Sequence, residues 1–455
     1  MPRFDVRAEQ PERFKPLERP TGPISVETAV QTAVRFGPRS RRSIQGVWSA
    51  LAELGQSKAA FWPQVSARLS FTRAKGQSFD ANRGPQEFYE TAWRPRVNAS
   101  WTLIDWVRGH NVAAAEAGVE SAKASHNREI LDIGRAAEVA FYRLLEAEAL
   151  LEVVGETVEL RKQYVQQAER LLQAGGRRTD VLKARADLAE AENAMVEATA
   201  RVQAQRGLLA AIMGYRPNID LQVQPMPDEL PDPDLMDVNR MLTVAGRQRP
   251  RLQAIAAEIM RIQEQRNATE GQRMPQLSAN ASYGLADPDF PPAMGHNEWS
   301  LALQLSMDLF TGFQRTYQLV QFKHRVLAAR FAYEAALREV ELSVWQAYTE
   351  LVRARDAIQT SQSFLESADA SLEQFNREYQ AGRIDIVAVN DAQATYTRAQ
   401  FSQVRARLAY YVALAELSRA LGFGVEQVPE GLTQKDLWEE PLARYQSEAR
   451  LETLR

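Results

Sequence analysis

The sequence predicts a mainly α-helical protein with a small β part, in which very long helical hairpins stand beside four amphipathic strands. Three observations predict this fold class: two long stretches without proline, an internal repeat, and four segments in which apolar and polar residues alternate. Hydrophobic residues make up 45% and charged residues 25% of the chain. This is the composition of a folded protein, so global disorder is excluded.

Charge and composition exclude several functional classes. The 455 residues include 55 Lys and Arg against 58 Asp and Glu, a formal net charge of −3. Because neutralising phosphates needs a basic excess, we expect no nucleic-acid partner. The chain has no Cys, which removes disulfides, thiolate metal sites and cysteine nucleophiles. It has no Walker-type glycine loop, and its four His lack the spacing of metal ligands, so the sequence predicts no enzyme, no cofactor and no metal site.

The hydropathy pattern predicts no transmembrane helix, because no apolar stretch approaches 18 residues. The first residues, 1–5, lack the apolar core of a signal peptide, which leaves a cytoplasmic location or a processed or truncated chain open. A spanning β-barrel also stays open, because its strands carry a weaker hydropathy signal than a helix does.

Proline placement predicts very long helices. Residues 96–216 and 293–428 contain no proline, and an interior proline would cost a helix about 3 kcal/mol. We expect helices over about 111–174, 180–213, 315–380 and 385–421, with breaks at Gly175-Gly176 and at Gly382. The first would be roughly 95 Å long. Apolar residues keep coiled-coil spacing over 151–172 except at Arg161, while Tyr164 lies off this seam and indicates a second packed face.

The two halves of the chain repeat one another. Gln173-Ala174-Gly175 matches Gln380-Ala381-Gly382, and Trp62-Pro63-Gln64 matches Met274-Pro275-Gln276 at nearly the same separation, which indicates a duplicated unit. Each unit opens with a helical stretch, 26–60 with a break at Gly37-Pro38 and 238–267 with a break near Arg249-Pro250. The predicted organisation is an extended arm (1–24), a first repeat (25–214), a linker (215–236), a second repeat (237–424) and a C-terminal tail (425–455).

Each repeat also carries two segments of strict alternation. They cover residues 64–72, 96–103, 276–283 and 299–307. Alternation over nine to ten residues, apolar outside and polar inside, is typical of a transmembrane β-barrel wall; the alternative is an ordinary sheet with one face on a helical core. Phe71, Trp101, Tyr283 and Trp299 would suit an aromatic girdle at the membrane interface, or ordinary packing. The connections 74–90 and 286–297 are predicted to be loops on the outer surface.

Four strands cannot close a barrel, and open strand edges are not tolerated in lipid. The wall must therefore come from several copies. Three copies would supply twelve strands, enough for a barrel with an aqueous bore.

In their order and duplication, these features resemble the TolC-like outer-membrane efflux proteins over roughly residues 25–424. The specific points are strands led by Pro63 and Pro275, the turns at 103–105 and 308–312, and a glycine break followed by Asp at both helix tips. The resemblance implies a homotrimer, in which a twelve-stranded barrel in the outer membrane of a Gram-negative bacterium joins a trimeric α-barrel that extends into the periplasm. It further implies an equatorial belt, to which the linker and the tail would belong.

The resemblance also implies a function and its partners. Such proteins are passive ducts for efflux of small molecules or for type I secretion. They lie in outer membrane lipid and work with a periplasmic adaptor protein and an inner-membrane transporter, which supply selectivity and energy.

The same resemblance implies roles for residues at the helix tips. Asp391 matches a family aperture acid, Ala388 occupies the position of the other, and Asp385 lies nearby as a substitute. Tyr379 and Asp180 match a latch that closes the periplasmic mouth. Thr179 stands beside Asp180, and Arg383 lies one place from the family's latch arginine.

Physical chemistry supports an acidic aperture independently, because carboxylates that converge across a narrow pore bind cations. The alternatives stay open: Asp180 and Asp385 would also suit the N-caps of the two helices, and Asp391 a solvated helix face.

A rival of a different class is a soluble periplasmic coiled-coil scaffold or adaptor, with the alternating segments in a small sheet. The four strands discriminate between the two, because a scaffold does not need two matched amphipathic hairpins with aromatic rims.

Overall fold

The computed structural model describes residues 22–80, 84–225, 237–286, 296–381 and 383–422. Most of the predicted arm, the second half of the predicted linker and the whole predicted tail lie outside these residues. The described chain is mainly helical with one small sheet, as the sequence predicts.

The order of elements repeats once along the chain. The first set is α1 (Val26–Phe36), α2 (Pro38–Ala59), β1 (Gln64–Asp80), β2 (Gly84–Ile104), α3 (Trp106–Gln173) and α4 (Arg178–Met213). The second set is α5 (Val238–Gln248), α6 (Pro250–Gly271), β3 (Gln276–Ala286), β4 (His296–Ser306), α7 (Gln314–Gln380) and α8 (Ile386–Leu421). Corresponding helices have nearly equal lengths: α3 has 68 residues and α7 has 67, while α4 and α8 have 36 each.

The four strands form one antiparallel sheet in the order β1-β2-β3-β4. The first hairpin is longer than the alternation predicts, because β1 and β2 stay paired from Gln64↔Ser100 to Asp80↔Gly84. The predicted loop over 74–90 was therefore wrong, and only residues 81–83 lie outside the described strands. The second predicted loop also begins and ends inside strands, at Ala286 and His296. Alternation marks only the part of a strand with one apolar face, whereas backbone pairing continues beyond it.

In the part of the chain that the structure describes, no helix covers the apolar face of this sheet. On β4, Trp299, Leu301, Leu303 and Leu305 are each at least 70% exposed. Val65 and Leu69 on β1 are also exposed. An ordinary sheet packed on a helical core would bury these side chains, so that alternative does not describe this structure.

The chain divides into two compact units, and each draws on both repeats. The first contains the described parts of Met1–Ile44, His126–Pro250 and Leu337–Arg455; the second contains those of Gln45–Ser125 and Arg251–Ala336. The core of the first unit includes the fully buried side chains of Leu144, Leu209, Met213 and Leu221. In the same unit Ile24 forms a parallel bridge with Val223, so the start of the described chain pairs with the predicted linker.

In the second unit, a buried arginine holds the ends of the first two strands. Arg108 donates to the carbonyl oxygens of Ala60, Thr102 and Leu103 at 2.7–3.1 Å, and its guanidinium lies over the ring of Phe61 at 4.7 Å. One guanidinium group thereby satisfies three backbone carbonyls, one just before β1 and two near the end of β2. These hydrogen bonds tie the end of β2 to the first turn of α3.

None of the helices within the described residues is long and apolar enough to span a membrane.

Candidate functional site at the helix ends

The two long hairpins of the first unit end in short turns that carry the predicted site residues. Between α3 and α4, Gly175 has φ +98°, and the Gly176 N–H donates to Leu171 O at 2.8 Å. A Cβ at Gly176 would lie only 2.7 Å from that oxygen, so the turn requires glycine there. The Gly-Gly pair thus ends α3 and returns the chain into α4.

Asp180 lies in the first turn of α4 and is not its capping residue. The N-cap is Arg177, which makes no side-chain capping bond. The positive end of the α4 dipole stabilises the negative charge of the Asp180 carboxylate. This carboxylate also accepts a 3.3 Å hydrogen bond from Thr179 Oγ1. The prediction that Asp180 caps the helix is therefore wrong: Asp180 is the third residue of α4, within its first turn.

Asp385, in contrast, caps α8. Its Oδ1 accepts a 3.1 Å hydrogen bond from the Ala388 N–H, which satisfies one of the free backbone donors at the helix start. Arg383 is exposed in the same turn, where its backbone N–H donates to Glu378 O at 3.0 Å. Within the described residues, its guanidinium makes no hydrogen bond or ion pair.

Tyr379 and Asp180, the predicted latch pair, come from different hairpins and are electrostatic neighbours. Burial, and next the charge of Asp180, raise the pKa of the Tyr379 phenol, so the phenol stays protonated at neutral pH and remains a donor. Among the hydrogen bonds of the described chain, none joins these two side chains.

Asp391 lies on an exposed stripe of α8. The stripe comprises Val387, Asp391, Ala394, Arg398 and Arg405, spaced three, four and seven residues apart as one helix face requires. Within the described chain the Asp391 carboxylate takes part in no ion pair, and capping cannot account for it at this place inside the helix. The stripe is therefore a charged face turned away from the buried side of α8.

A polar cluster that the sequence did not predict joins three helices near these turns. Asp187 on α4 is buried and accepts hydrogen bonds from Lys183 at 2.5 Å and from Asn390 of α8 at 2.8 Å. Asn390 in turn accepts from Arg161 of α3. We call these four residues the clasp. Each hydrogen bond in it involves a charged group, which is the stronger kind.

A second contact lies beside the clasp. Tyr164 on α3 donates from its hydroxyl to Asn376 Oδ1 on α7 at 3.1 Å, and the guanidinium of Arg161 lies 6.0 Å from the Tyr164 ring centre. The sequence held one signal for this region: Arg161 interrupts the apolar seam of α3, and Tyr164 lies off it. The clasp therefore occupies the place where the helix pattern departs from simple packing.

In the second unit, the sheet places the four predicted girdle residues on its exposed face. Tyr283 stands opposite Trp299 in the register, and Phe71 forms an edge-to-face pair with Trp93 at 6.5 Å. Trp101 donates its indole N–H to Phe61 O at 2.9 Å. All four remain more than 40% exposed.

Comparison with known proteins points in one direction. The profile of the outer membrane efflux protein family matches residues 41–215 and 242–423. The chain is 24% identical over 372 residues to the outer membrane efflux protein BepC of Brucella suis biovar 1, covering 80% of this chain and 78% of that protein. It is also 24% identical over 419 residues to the outer membrane protein TolC of Escherichia coli K12, covering 87% and 82%.

Solved structures of similar fold are outer-membrane channels. The channel OprN superposes with a TM-score of 0.75 at 20% identity, covering 88% of this chain and 90% of that one. The Campylobacter jejuni CmeC channel superposes with a TM-score of 0.77 at 17% identity, covering 91% and 89%.

Proposed function

This chain belongs to the outer membrane efflux protein family, and on that premise we propose that three copies of it assemble into one passive duct across the outer membrane and into the periplasm. Members of the family are outer-membrane efflux channels of Gram-negative bacteria, and this chain has their fold.

The observation that carries the proposal is the exposed apolar face of a sheet whose edges are β1 and β4. Val65 and Leu301 lie in one row of the register. Phe71 stands six residues beyond Val65, and Leu305 four residues beyond Leu301 in the opposite direction. These ten steps span roughly 33 Å along the strands, or roughly 25 Å when tilted as in a membrane barrel, which is the height of its apolar band. Three copies would close the sheet at twelve strands, with Phe71 at one rim; Tyr283 and Trp299 lie two residues from the Val65 row, nearer the middle of the ten steps.

A stripe on α7 supports the contact between copies. Tyr317, Val320, Leu327 and Phe331 are large, exposed and spaced as one helix face. A face of this kind is covered in an assembly, and α7 follows the edge strand β4, where the next copy would join. We propose that a neighbouring copy covers this stripe.

The helix ends supply the closure of the duct. In a trimer, Asp391 would stand in three copies around the axis, and Asp385 near it, as a cation-binding aperture. Tyr379 and Asp180 would form the latch, with Thr179 supporting Asp180 and the exposed Arg383 available to a neighbouring hairpin. The Tyr379 phenol, kept protonated, suits a donor to the Asp180 carboxylate.

Energy for transport would come from other proteins. The sequence has no nucleotide-binding loop, so an inner-membrane transporter and a periplasmic adaptor protein would drive export through this duct. Efflux of small molecules and type I secretion both suit it.

The test is assembly and conductance of the full-length gene product expressed in a Gram-negative host. We expect detergent extraction from the outer membrane, a protein mass by light scattering three times that of the single purified chain, and stable conductance in planar bilayers. Recovery as a monomer without detergent would favour the coiled-coil scaffold and overturn the duct.

A further inference from the structure

A groove between α7 and α8 in the first unit has the chemistry of an anion site. It has a volume of about 440 Å³, within the range of small-molecule pockets. The polar and aromatic side chains that line it are Arg353, Arg398, Arg405, Thr360, Ser402 and Phe401, and its remaining lining residues are alanines. No acidic side chain is among them.

The three arginines differ in how far their charge is balanced. Arg353 pairs with Glu350 one helical turn away at 2.5 Å, and Arg405 lies 3.8 Å from Glu146 of α3. Arg398 donates only to Ala394 O and Thr395 Oγ1 on its own helix, and among the described residues it forms no ion pair. The charge in the groove is therefore balanced least at Arg398.

We propose that this groove binds small anionic molecules with an apolar or aromatic part as they pass through the duct. Guanidinium groups match carboxylate, phosphate and sulfonate oxygens in a planar fork. The hydroxyls of Thr360 and Ser402 add donors, and Phe401 offers an apolar surface. The lining spans roughly 10 Å along α7, from Arg353 to Thr360, and roughly 16 Å along α8, from Arg398 to Ala409, which are lengths that suit a small molecule.

The place of the groove follows from the exposed stripe on α8. Arg398 and Arg405 share that stripe with Asp391, seven and fourteen residues further along the helix, or roughly 10 and 21 Å. This step rests on the proposed function: if Asp391 faces the aperture, the arginines face the same passage. Cargo would then meet an acidic ring first and a basic zone behind it, repeated in each copy.

The experiment uses the purified full-length protein in uncharged detergent and hydroxypyrene trisulfonate, an anionic aromatic dye, followed by fluorescence anisotropy. We expect Arg398→Gln to weaken dye binding by roughly tenfold, the effect of losing a charge-assisted contact, and Arg398→Lys to weaken it less. Arg201→Gln is the matched control, because Arg201 is also exposed on a helix of the first unit. The Arg201→Gln protein should bind the dye with wild-type affinity. Equal affinity in wild type and Arg398→Gln, or equal loss in Arg201→Gln, would overturn the proposal.

Bilayer recordings of the same samples separate this proposal from the duct itself. We expect Arg398→Gln to conduct and to shift the reversal potential in a salt gradient toward cation selectivity. A conducting wild-type protein that does not bind the dye refutes the anion site and leaves the duct intact. Dye binding without any conductance refutes the duct, and with it the passage in which the groove was placed. Unchanged dye binding with lost export in Arg398→Gln would assign the groove to a protein partner instead.

Discussion

Asn390 of α8 donates from Nδ2 to Oδ2 of the buried Asp187 of α4 across 2.8 Å. This bond joins the two long hairpins of the first unit through a charged group. Because Asn390 also accepts a hydrogen bond from Arg161 of α3, two successive hydrogen bonds link α3, α8 and α4. If one hairpin moves relative to the other at this end, at least one of these hydrogen bonds must break.

We expect Asp187→Ala to loosen the hairpin ends, because the change leaves the half-buried Asn390 Nδ2 without its acceptor. Unsatisfied groups of this kind cost about 1–3 kcal/mol. The measurements are faster amide exchange in the neighbouring turns of α4 and α8 and a larger single-channel conductance. Lys162→Met, which removes an exposed pair with Glu159, is the control and should change neither. Native exchange and conductance in Asp187→Ala would show that the clasp does not hold the ends together.

The sequence predicts the helical hairpins well, since absent prolines and glycine breaks are local signals. It does not predict the clasp, because Arg161, Asp187 and Asn390 are far apart in the chain and meet only through the register of one hairpin against the other. Asp180 and Asp385 show the same limit on a smaller scale. Both follow a glycine break, yet α4 starts at Arg178 and α8 at Ile386, so that only Asp385 falls on the capping position.

The predicted latch is tested by Tyr379→Phe combined with Asp180→Ala. Removing the phenol hydroxyl and the carboxylate should loosen closure and raise single-channel conductance. Asp180→Asn alone should bring the pKa of Tyr379 closer to its ordinary value, because the charge of Asp180 is one of the two causes that raise it. Tyr348→Phe, on α7 and distant in sequence from the turns, serves as the control. Unchanged conductance in the double variant would count against the latch.

The predicted aperture is tested by Asp391→Asn. If three copies of Asp391 line the mouth, removing their charge should weaken block by divalent or trivalent cations by roughly tenfold, since attraction to a multivalent ion grows with the charge of the ring. The measurement is the blocking concentration in bilayer recordings. The control is Glu190→Gln, which removes an exposed charge from α4 and should leave the blocking concentration unchanged. If Asp391→Asn is blocked at the same cation concentration as the wild type, Asp391 does not line the aperture.

The lipid-facing band is tested by two neighbouring residues on β4 whose side chains point to opposite faces. Leu303→Lys places a charge on the exposed apolar face, where lysine near the bilayer midplane costs about 2–4 kcal/mol. Gln304→Lys places the same charge on the polar face. We expect the first variant to reduce the amount of trimer in the outer membrane and the second to insert normally while changing ion selectivity. Similar losses in both would contradict the assignment of the two faces.

A pH dependence follows from His126 on α3, which is buried with its Nδ1 2.7 Å from Ser43 Oγ. Burial lowers the pKa of His126 below its ordinary 6.5, and the charge of Glu129 only partly opposes this. The unfolded chain therefore takes up a proton before the folded chain does as the pH falls. The stability that comes from the neutral imidazole is present above about pH 6.5 and is lost as the pH falls toward the lowered pKa of the folded state. The measurement is the melting temperature of the helical signal at about pH 7.5 and about pH 5.5. We expect the melting temperature of the wild type to fall at the lower pH, and that of His126→Gln to fall less. The exposed His324, changed to Gln, should melt like the wild type at both values; an identical acid loss in His126→Gln would exclude His126 as its source.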